Sequence, residues 1–181
     1  GDWIDATYDY EKAARLWEQE LHDRPFDLWR YRDLLPLLDQ SHRVTMGEGG
    51  TPLLRAANLE MMLGCSHLYV KDERQGPTGS FKDRQASLSI SVMKHFDITE
   101  AVVASTGNVA ISYSAYSAHA GIKLWAFLTS LVPPDKMREV AIYGSEVVKV
   151  TGSYHPTTQV AAEFARRPGV PLDRGLRPIA V

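Results

Sequence analysis

One lysine in this sequence stands where an amine could do covalent chemistry. Lys82 lies in the polar segment at residues 77–84, whose proline and glycine residues separate two regular patterns. The apolar run at residues 68–70 predicts a strand before the segment, and residues 85–96 predict a helix after it. The lysine is therefore expected at the junction between a loop and a helix.

An ordinary ammonium group would be poorly placed at this position. Ser80 and Asp83 have the spacing of a capping box, so we expect the helix to start near Ser80. Lys82 then lies in the first helical turn, where the helix dipole disfavours a positive charge. An amine there makes chemical sense if it is neutral or bonded covalently, as in a Schiff base. The alternative is an exposed lysine at a helix start, and spacing alone favours that alternative.

A second polar segment, made of Ser105, Thr106, Gly107 and Asn108, follows a predicted strand and opens a predicted helix. Its backbone N–H groups would lie at the positive end of the helix dipole, which is a place that binds anions. The alternative is a loop that caps only its own helix, since serine, threonine and asparagine are common there. Taken alone, the segment favours the capping explanation.

The second half of the chain alternates short apolar runs with helical patterns. This alternation indicates a parallel sheet with right-handed crossovers, and so an α/β fold. Ser112, Ser114 and Ser117 are expected to allow close packing, because no histidine–carboxylate pair is visible to activate them. The predicted strands are residues 101–104, 123–128 and 146–150, and the predicted helices are residues 109–120, 135–143 and 157–166.

The first half of the chain is predicted to be mainly helical, with one glycine-rich turn. Residues 47–52 lack the spacings of nucleotide-binding loops, and we expect a tight turn that brings Thr51 and Pro52 near the lysine. Residues 168–181, at the other end of the chain, predict no clear element. The predicted helices of the first half are residues 10–21, 28–38 and 56–63.

Composition excludes several classes of function. The 181 residues are 44% hydrophobic and 23% charged, and their net charge of −2 offers nucleic acid no basic surface. No membrane span or signal peptide is predicted.

Cys65, the only cysteine, is expected to be a packed thiol in a reducing compartment, so the predicted location is cytoplasmic. No metal is expected, because no metal-ligand spacing occurs among His22, His42, His67, His95, His119 and His155.

Four motifs resemble, in the same order, the pyridoxal-phosphate enzymes of the tryptophan-synthase-β type, known as fold type II. They are GEGGTPL at residues 47–53, VKDE at residues 70–73, PTGSFKDR at residues 77–84 and ASTGN at residues 104–108. The first three together look most like threonine synthase. The resemblance extends from about residue 8 to about residue 152.

The resemblance implies a parallel three-layer α/β/α sheet. In domain terms it implies an N-terminal helical arm and the start of a large domain at residues 1–75. The small domain with the cofactor lysine would follow at residues 76–168, and residues 169–181 would return to the large domain. The arm and the small domain are thus expected to fold around one half of a cofactor site.

The resemblance also implies a cofactor and roles for site residues. Lys82 would form an imine with pyridoxal 5′-phosphate and then act as general base, and Asn108 would hydrogen-bond the ring oxygen of the cofactor. Ser105, Thr106 and Gly107 would hold the carboxylate of an amino-acid substrate. The implied reaction converts O-phospho-L-homoserine and water to L-threonine and phosphate. Serine or threonine dehydration and β-replacement are the enzymatic alternatives.

The chain departs from this family in length, because family members are typically more than twice as long. No second glycine cluster for the cofactor phosphate follows Gly152, and Arg174 and Arg177 are the candidates for phosphate recognition. We therefore expect either part of a longer enzyme or a stand-alone half that lacks the phosphate-binding half and is inactive or binds weakly, and a non-catalytic binding module is a further alternative. Surfaces covered by the other half, including the aromatic residues of the arm, are expected to be exposed, which predicts a homo-oligomer such as a dimer.

Overall fold

The computed structural model describes residues 6–173, so Arg174 and Arg177 lie outside the described residues. The helices are α1 (Tyr10–Glu20), α2 (Ala57–Leu63), α3 (Lys82–His95), α4 (Asn108–Ala120), α5 (Pro134–Ile142) and α6 (Tyr154–Phe164). The strands are β1 (Leu53–Arg55), β2 (Tyr69–Lys71), β3 (Glu100–Ser105), β4 (Lys123–Thr129), β5 (Glu146–Val150) and β6 (Leu172–Asp173). Short 3-10 helices cover Leu28–Leu34, Gln40–His42 and Glu73–Gln75.

The main sheet has the strand order β5-β4-β3-β6, and all of its neighbouring strands are parallel. Val103 on β3 packs in a core with side chains of α3, α4 and α5, whereas Val102 packs with Ala161 of α6. Successive side chains of a strand point to opposite faces, so helices cover both faces of the sheet. The α/β fold and its three layers are confirmed.

Strand β6 is the element of the sheet that the sequence analysis missed. Leu172 pairs with Val102, and Asp173 pairs with Val103, so the strand extends the sheet beyond β3. A strand of two residues is too short to show an alternating pattern. The expectation that residues 168–181 form no clear element is therefore wrong for Leu172–Asp173.

Strands β1 and β2 form a separate antiparallel pair, with Leu53 opposite Lys71. The strand predicted at residues 68–70 exists with a shift of one residue, but it lies outside the parallel sheet. The side chains of Leu53 and Tyr69 are exposed. Helix α2 lies between the two strands in the sequence and also exposes apolar side chains, among them Met61 and Met62.

The arm is less helical and more tightly packed than the sequence analysis expected. In place of a helix at residues 28–38, the chain forms the 3-10 helix Leu28–Leu34. Trp29 is only 1% exposed, because its Nε1 donates to Glu48 Oε1 at 2.9 Å and to Ser87 Oγ at 2.9 Å. The expectation that the arm's aromatic residues are exposed is wrong for Trp29.

Glu48 is a buried carboxylate that joins the N-terminal part of the chain to α4. Its Oε2 accepts a hydrogen bond from Tyr116 OH on α4 at 2.7 Å and another from the backbone N–H of Met46 at 3.0 Å. Burial and the bond to Glu48 raise the pKa of Tyr116, so its hydroxyl stays protonated and continues to donate. The carboxylate is thereby stabilised by donors from three segments, the third being Trp29.

Two glycines after Glu48 let the chain approach the arm closely. A Cβ at Gly49 would lie 2.5 Å from Leu28 N, and one at Gly50 would lie 2.2 Å from Phe26 O. Both glycines also have positive φ, which side chains disfavour. The glycine-rich turn thus serves contact with the arm backbone.

Cys65 is exposed, so the expectation of a packed thiol is wrong. The residue follows Gly64, which ends α2 in a left-handed conformation at the surface. Apolar neighbours in the sequence suggested burial, but α2 itself is largely exposed. Among the described residues, no helix combines the length and the apolar character that crossing a membrane requires.

We predict that Glu48→Gln lowers the free energy of unfolding by about 1–3 kcal/mol, because a buried donor loses its acceptor. Urea unfolding followed by far-UV circular dichroism measures the effect. Glu146→Gln, which changes an exposed carboxylate on β5, is the matched control and should change stability little. Equal stabilities of the two variants would contradict the role of Glu48.

Candidate active site

Lys82 is the first residue of α3, as the sequence analysis expected for the first helical turn. Its backbone N–H donates to Ser80 Oγ at 3.3 Å. Its Nζ lies 3.4 Å from Gln85 Oε1 and 4.6 Å from the centre of the Phe81 ring. The Lys82 side chain is partly buried. Both contacts of its amine are long, so they hold the amine weakly.

The predicted capping box is wrong, because Asp83 faces the preceding loop instead of the Ser80 N–H. Its carboxylate accepts hydrogen bonds from the backbone N–H of Thr78 at 2.9 Å and from the Thr78 hydroxyl. Asp83 is 1% exposed, so these bonds are shielded from water. The helix starts at Lys82, and Phe81, the residue before it, makes no side-chain capping bond.

Gly76 leaves room for this arrangement. A Cβ at position 76 would lie 2.6 Å from Asp83 Oδ2 and 3.2 Å from Ser80 O. Since the Asp83 carboxylate is buried and bonded to Thr78, it has little freedom to move. The loop before Lys82 therefore needs a residue without a side chain at this position.

An ionic network joins three of the four motifs noted in the sequence. Arg84 donates to both carboxylate oxygens of Glu73, at 3.1 and 3.0 Å, and Thr51 Oγ1 donates to Glu73 at 2.8 Å. Lys71 Nζ donates to the backbone carbonyl of Thr51. The hydrogen bonds from Arg84 hold the pKa of Glu73 below its ordinary value. Thr51 thus lies against the lysine motif, as the sequence analysis expected.

In the second polar segment, residues 105–108, the Ser105 side chain bonds to the backbone of its own loop and helix start. Its Oγ accepts from the backbone N–H groups of Gly107 at 3.0 Å and Ala110 at 3.3 Å. Ser105 is buried, whereas Thr106 and Asn108 are exposed. The capping alternative therefore describes Ser105, while the exposed side chains remain available to a ligand.

Lys136 on α5 is a residue of this site that the sequence analysis missed. Its Nζ donates to Asn108 Oδ1 at 2.9 Å, and a Cβ at Gly107 would lie 3.2 Å from the same Nζ. The ammonium therefore adds positive charge at the N-terminal end of α4, where the helix dipole has the same sign. No local pattern marks Lys136, because it lies 28 residues from Asn108 in the sequence.

Hydrogen bonds to α4 from α3 and from the loop before it place the segment around Lys82 beside α4. Thr78 Oγ1 lies 2.8 Å from Ser112 Oγ, and Gln85 Nε2 donates to Tyr113 OH at 3.3 Å. Burial raises the pKa of Tyr113 well above its ordinary value, as does the nearby Asp173 carboxylate. The start of α3 therefore lies against the first turns of α4.

The serines of α4 have the packing role that the sequence analysis expected. Ser114 and Ser117 are at most 1% exposed, and their hydroxyl groups have no partner within the described chain. Hydroxyl groups buried in this way do not meet a substrate. Small side chains instead allow α4 to lie close to its neighbours.

Comparison with known proteins places these motifs in a family. Residues 44–175 match the family described as "Pyridoxal-phosphate dependent enzyme". This stretch includes both polar segments and the whole parallel sheet. The chain belongs to this family. Its fold is that of fold type II, and the cofactor of the family is pyridoxal 5′-phosphate.

Curated relatives of the chain include threonine synthases from two organisms. The chain is 36% identical over 180 residues to threonine synthase from Methanocaldococcus jannaschii, covering 98% of this chain and 44% of that protein. It is 32% identical over 153 residues to threonine synthase from Mycobacterium bovis, covering 83% of this chain and 42% of that protein. The chain thus spans less than half the length of these relatives.

Solved structures share the fold. A threonine deaminase isoform from Solanum lycopersicum has a TM-score of 0.62 and 23% identity, over 69% of this chain and 34% of that one. A pyridoxal 5′-phosphate-dependent aspartate racemase has a TM-score of 0.65 and 26% identity, over 69% of this chain and 40% of that one. The named reactions of these proteins differ, so the shared fold does not single out one reaction.

The groups at the two segments fit the family cofactor chemically. The primary amine of Lys82 suits a cofactor that carries an aldehyde. Asn108 Oδ1 is engaged by Lys136, which leaves its amide N–H groups to donate to a ring oxygen. The N-terminal end of α4 and Lys136 suit an anionic substrate group.

The lowered pKa of Glu73 predicts a pH-dependent contribution to stability. Its carboxylate stabilises the fold above the unfolded pKa of 4.5, and this contribution is lost as the pH falls through the lower folded pKa. We expect Glu73→Gln to be about 1–3 kcal/mol less stable than the unsubstituted chain at pH 7, with a smaller difference at pH 3. Chemical unfolding at both pH values measures this.

Glu163→Gln is the control for this experiment, because Glu163 pairs with Arg166 at an exposed site. Exposed pairs contribute little, so its difference from the unsubstituted chain should be small at both pH values. A Glu73→Gln difference that is independent of pH would contradict the role of the ionised carboxylate.

Proposed function

We propose that this chain carries the lysine half of a lyase site like that of threonine synthase, which converts O-phospho-L-homoserine and water to L-threonine and phosphate. The similarity to threonine synthases along almost the whole chain carries the proposal. The network among Thr51, Glu73 and Arg84 supports it, because it links the three motifs that resemble threonine synthase.

In this proposal Lys82 holds the cofactor and moves protons at the substrate. Its place in the motif that resembles the cofactor-lysine motif of the family supports the first role. When bound, pyridoxal 5′-phosphate supplies the electron sink for charge that develops on the substrate carbon. The amine of Lys82 is then free to accept and return protons as a general base and acid.

The second segment would bind and orient the substrate and the cofactor ring. The backbone N–H groups of Thr106 and Gly107, with the hydroxyl of Thr106, would hold the substrate carboxylate at the positive end of α4. Ser105 would contribute indirectly, since its hydroxyl fixes the loop through Gly107. Asn108 would donate to the ring oxygen of the cofactor, in an orientation set by Lys136.

Self-association and cellular location are also part of the proposal. The exposed apolar side chains of β1, α2 and β2 support a homo-oligomer such as a dimer, because a surface of this kind is typical of an interface. A single cysteine without a disulfide partner supports a reducing compartment such as the cytoplasm.

The lysine assignment predicts selective labelling. Pyridoxal 5′-phosphate is added, the mixture is reduced with borohydride, and the modified residue is mapped by mass spectrometry. We expect one predominant adduct at Lys82 and its loss in Lys82→Ala. Lys94→Ala, which removes an exposed lysine from the same helix, should keep the adduct. Labelling scattered over many lysines in both variants would contradict the assignment and favour a non-catalytic binding module.

The choice of reaction predicts which product forms. Any turnover by the assembled protein is expected to release phosphate from O-phospho-L-homoserine, and it should be lost in Lys82→Ala because that variant lacks the amine. Release of a 2-oxoacid from serine or threonine, without phosphate release, would favour the dehydratase alternative that the shared fold with threonine deaminase also allows. Product assays on the same preparation, with Lys94→Ala as the active control, distinguish the two.

A further inference from the structure

Three potential metal ligands from distant parts of the sequence meet beside the arm. Asp39 immediately precedes the 3-10 helix Gln40–His42, His42 is the last residue of that helix, and His95 is the last residue of α3. One ligand atom from each of the three lies within 4.8 Å of the others. Asp39 is exposed, and the two histidines are partly buried, so the site is open to solvent on one side.

Two of the three distances between these atoms match the edges of a tetrahedral metal site, and the third is within 4.8 Å. His42 Nδ1 lies 3.3 Å from Asp39 Oδ2 and 3.4 Å from His95 Nδ1. Zinc bonds of about 2.0–2.1 Å in a tetrahedron separate neighbouring ligand atoms by about 3.3–3.4 Å. Little side-chain movement is therefore needed to place one cation between the three atoms.

Hydrogen bonding alone satisfies this arrangement poorly. The Nδ1 atom of neutral His42 carries either a hydrogen or a lone pair. With a hydrogen, it is shared between Asp39 and His95; with a lone pair, it can accept from Ser41 Oγ at 3.5 Å but still faces the Asp39 carboxylate. A divalent cation accepts a lone pair from each of the three atoms at once.

The surrounding contacts already orient the ligands. Asp39 Oδ1 accepts from the backbone N–H of Ser41 at 2.9 Å, which leaves Oδ2 for a metal. The rings of His42 and His95 lie edge to face at 5.1 Å, and His95 also packs against Phe96 at 5.0 Å. Edge-to-face packing of this kind restricts the orientation of both imidazole rings.

We propose that Asp39, His42 and His95 bind one zinc ion, with water as the remaining ligand. Imidazole and carboxylate ligands in this number suit zinc better than magnesium or calcium, which prefer oxygen. The ion joins the arm to the C-terminal end of α3. It lies about 20 Å along that helix from Lys82, so it is separate from the candidate active site.

Zinc titration of tag-free protein tests this proposal. Bound metal is first removed by dialysis against a chelator, and Zn²⁺ is then titrated in competition with a chromophoric chelator. We expect one equivalent per chain. His42→Gln and His95→Gln should each weaken binding by more than the 10–100-fold that loss of an outer contact costs. Asp39→Asn, which can keep the bond to Ser41, should also weaken it.

His119→Gln is the matched control, because His119 is exposed on α4, and its affinity for Zn²⁺ should stay unchanged. Zn²⁺ should also raise the melting temperature of the unsubstituted chain, and raise that of Asp39→Asn less. The melting temperatures of the unsubstituted chain and of Asp39→Asn test zinc binding if a histidine variant fails to fold. Absence of stoichiometric binding, or equal affinities of all variants, would overturn the proposal.

Discussion

The close packing of α3 against α4 is the constraint on which the candidate site depends. Small buried side chains lie where the two helices meet: Ser89 Oγ on α3 accepts from Tyr113 OH of α4 at 2.9 Å, and Ser112 Oγ on α4 lies 2.8 Å from Thr78 Oγ1. Larger side chains at such positions would separate the helices. With the helices in contact, the loop before Lys82 lies against the second turn of α4, where Thr78 meets Ser112. Packing between α3 and α4 thus sets the position of the start of α3, which carries Lys82, relative to the start of α4, which carries Asn108.

Two buried carboxylates and one partly buried carboxylate then fix the loops relative to these helices. Glu48 accepts bonds from Trp29 and from α4, Asp83 closes the loop before Lys82, and the partly buried Glu73 joins Arg84 of α3 to Thr51. Each carboxylate is costly to bury without partners, so each one strongly favours a single arrangement of the groups around it. The motifs that resemble threonine synthase are therefore structural as well as chemical: only part of each motif would contact a ligand.

The sequence predicted the sheet better than it predicted the contacts between segments. The strands β3, β4 and β5 and the helices between them follow from local apolar patterns, so their existence was predictable. The capping box failed because Asp83 finds Thr78 instead, and burial of Cys65 failed because α2 lies at the surface. Strand β6 was too short to predict. Lys136 depends on a contact across 28 residues, which no local pattern shows.

A crystal structure of the chain with pyridoxal 5′-phosphate would show whether the starts of α3 and α4 form one cofactor site. We expect density continuous between the cofactor and Lys82 Nζ, with the Asn108 amide at the ring oxygen and Thr106 and Gly107 facing open space for a carboxylate. A cofactor bound to a different lysine, or bound away from both helix ends, would contradict this expectation.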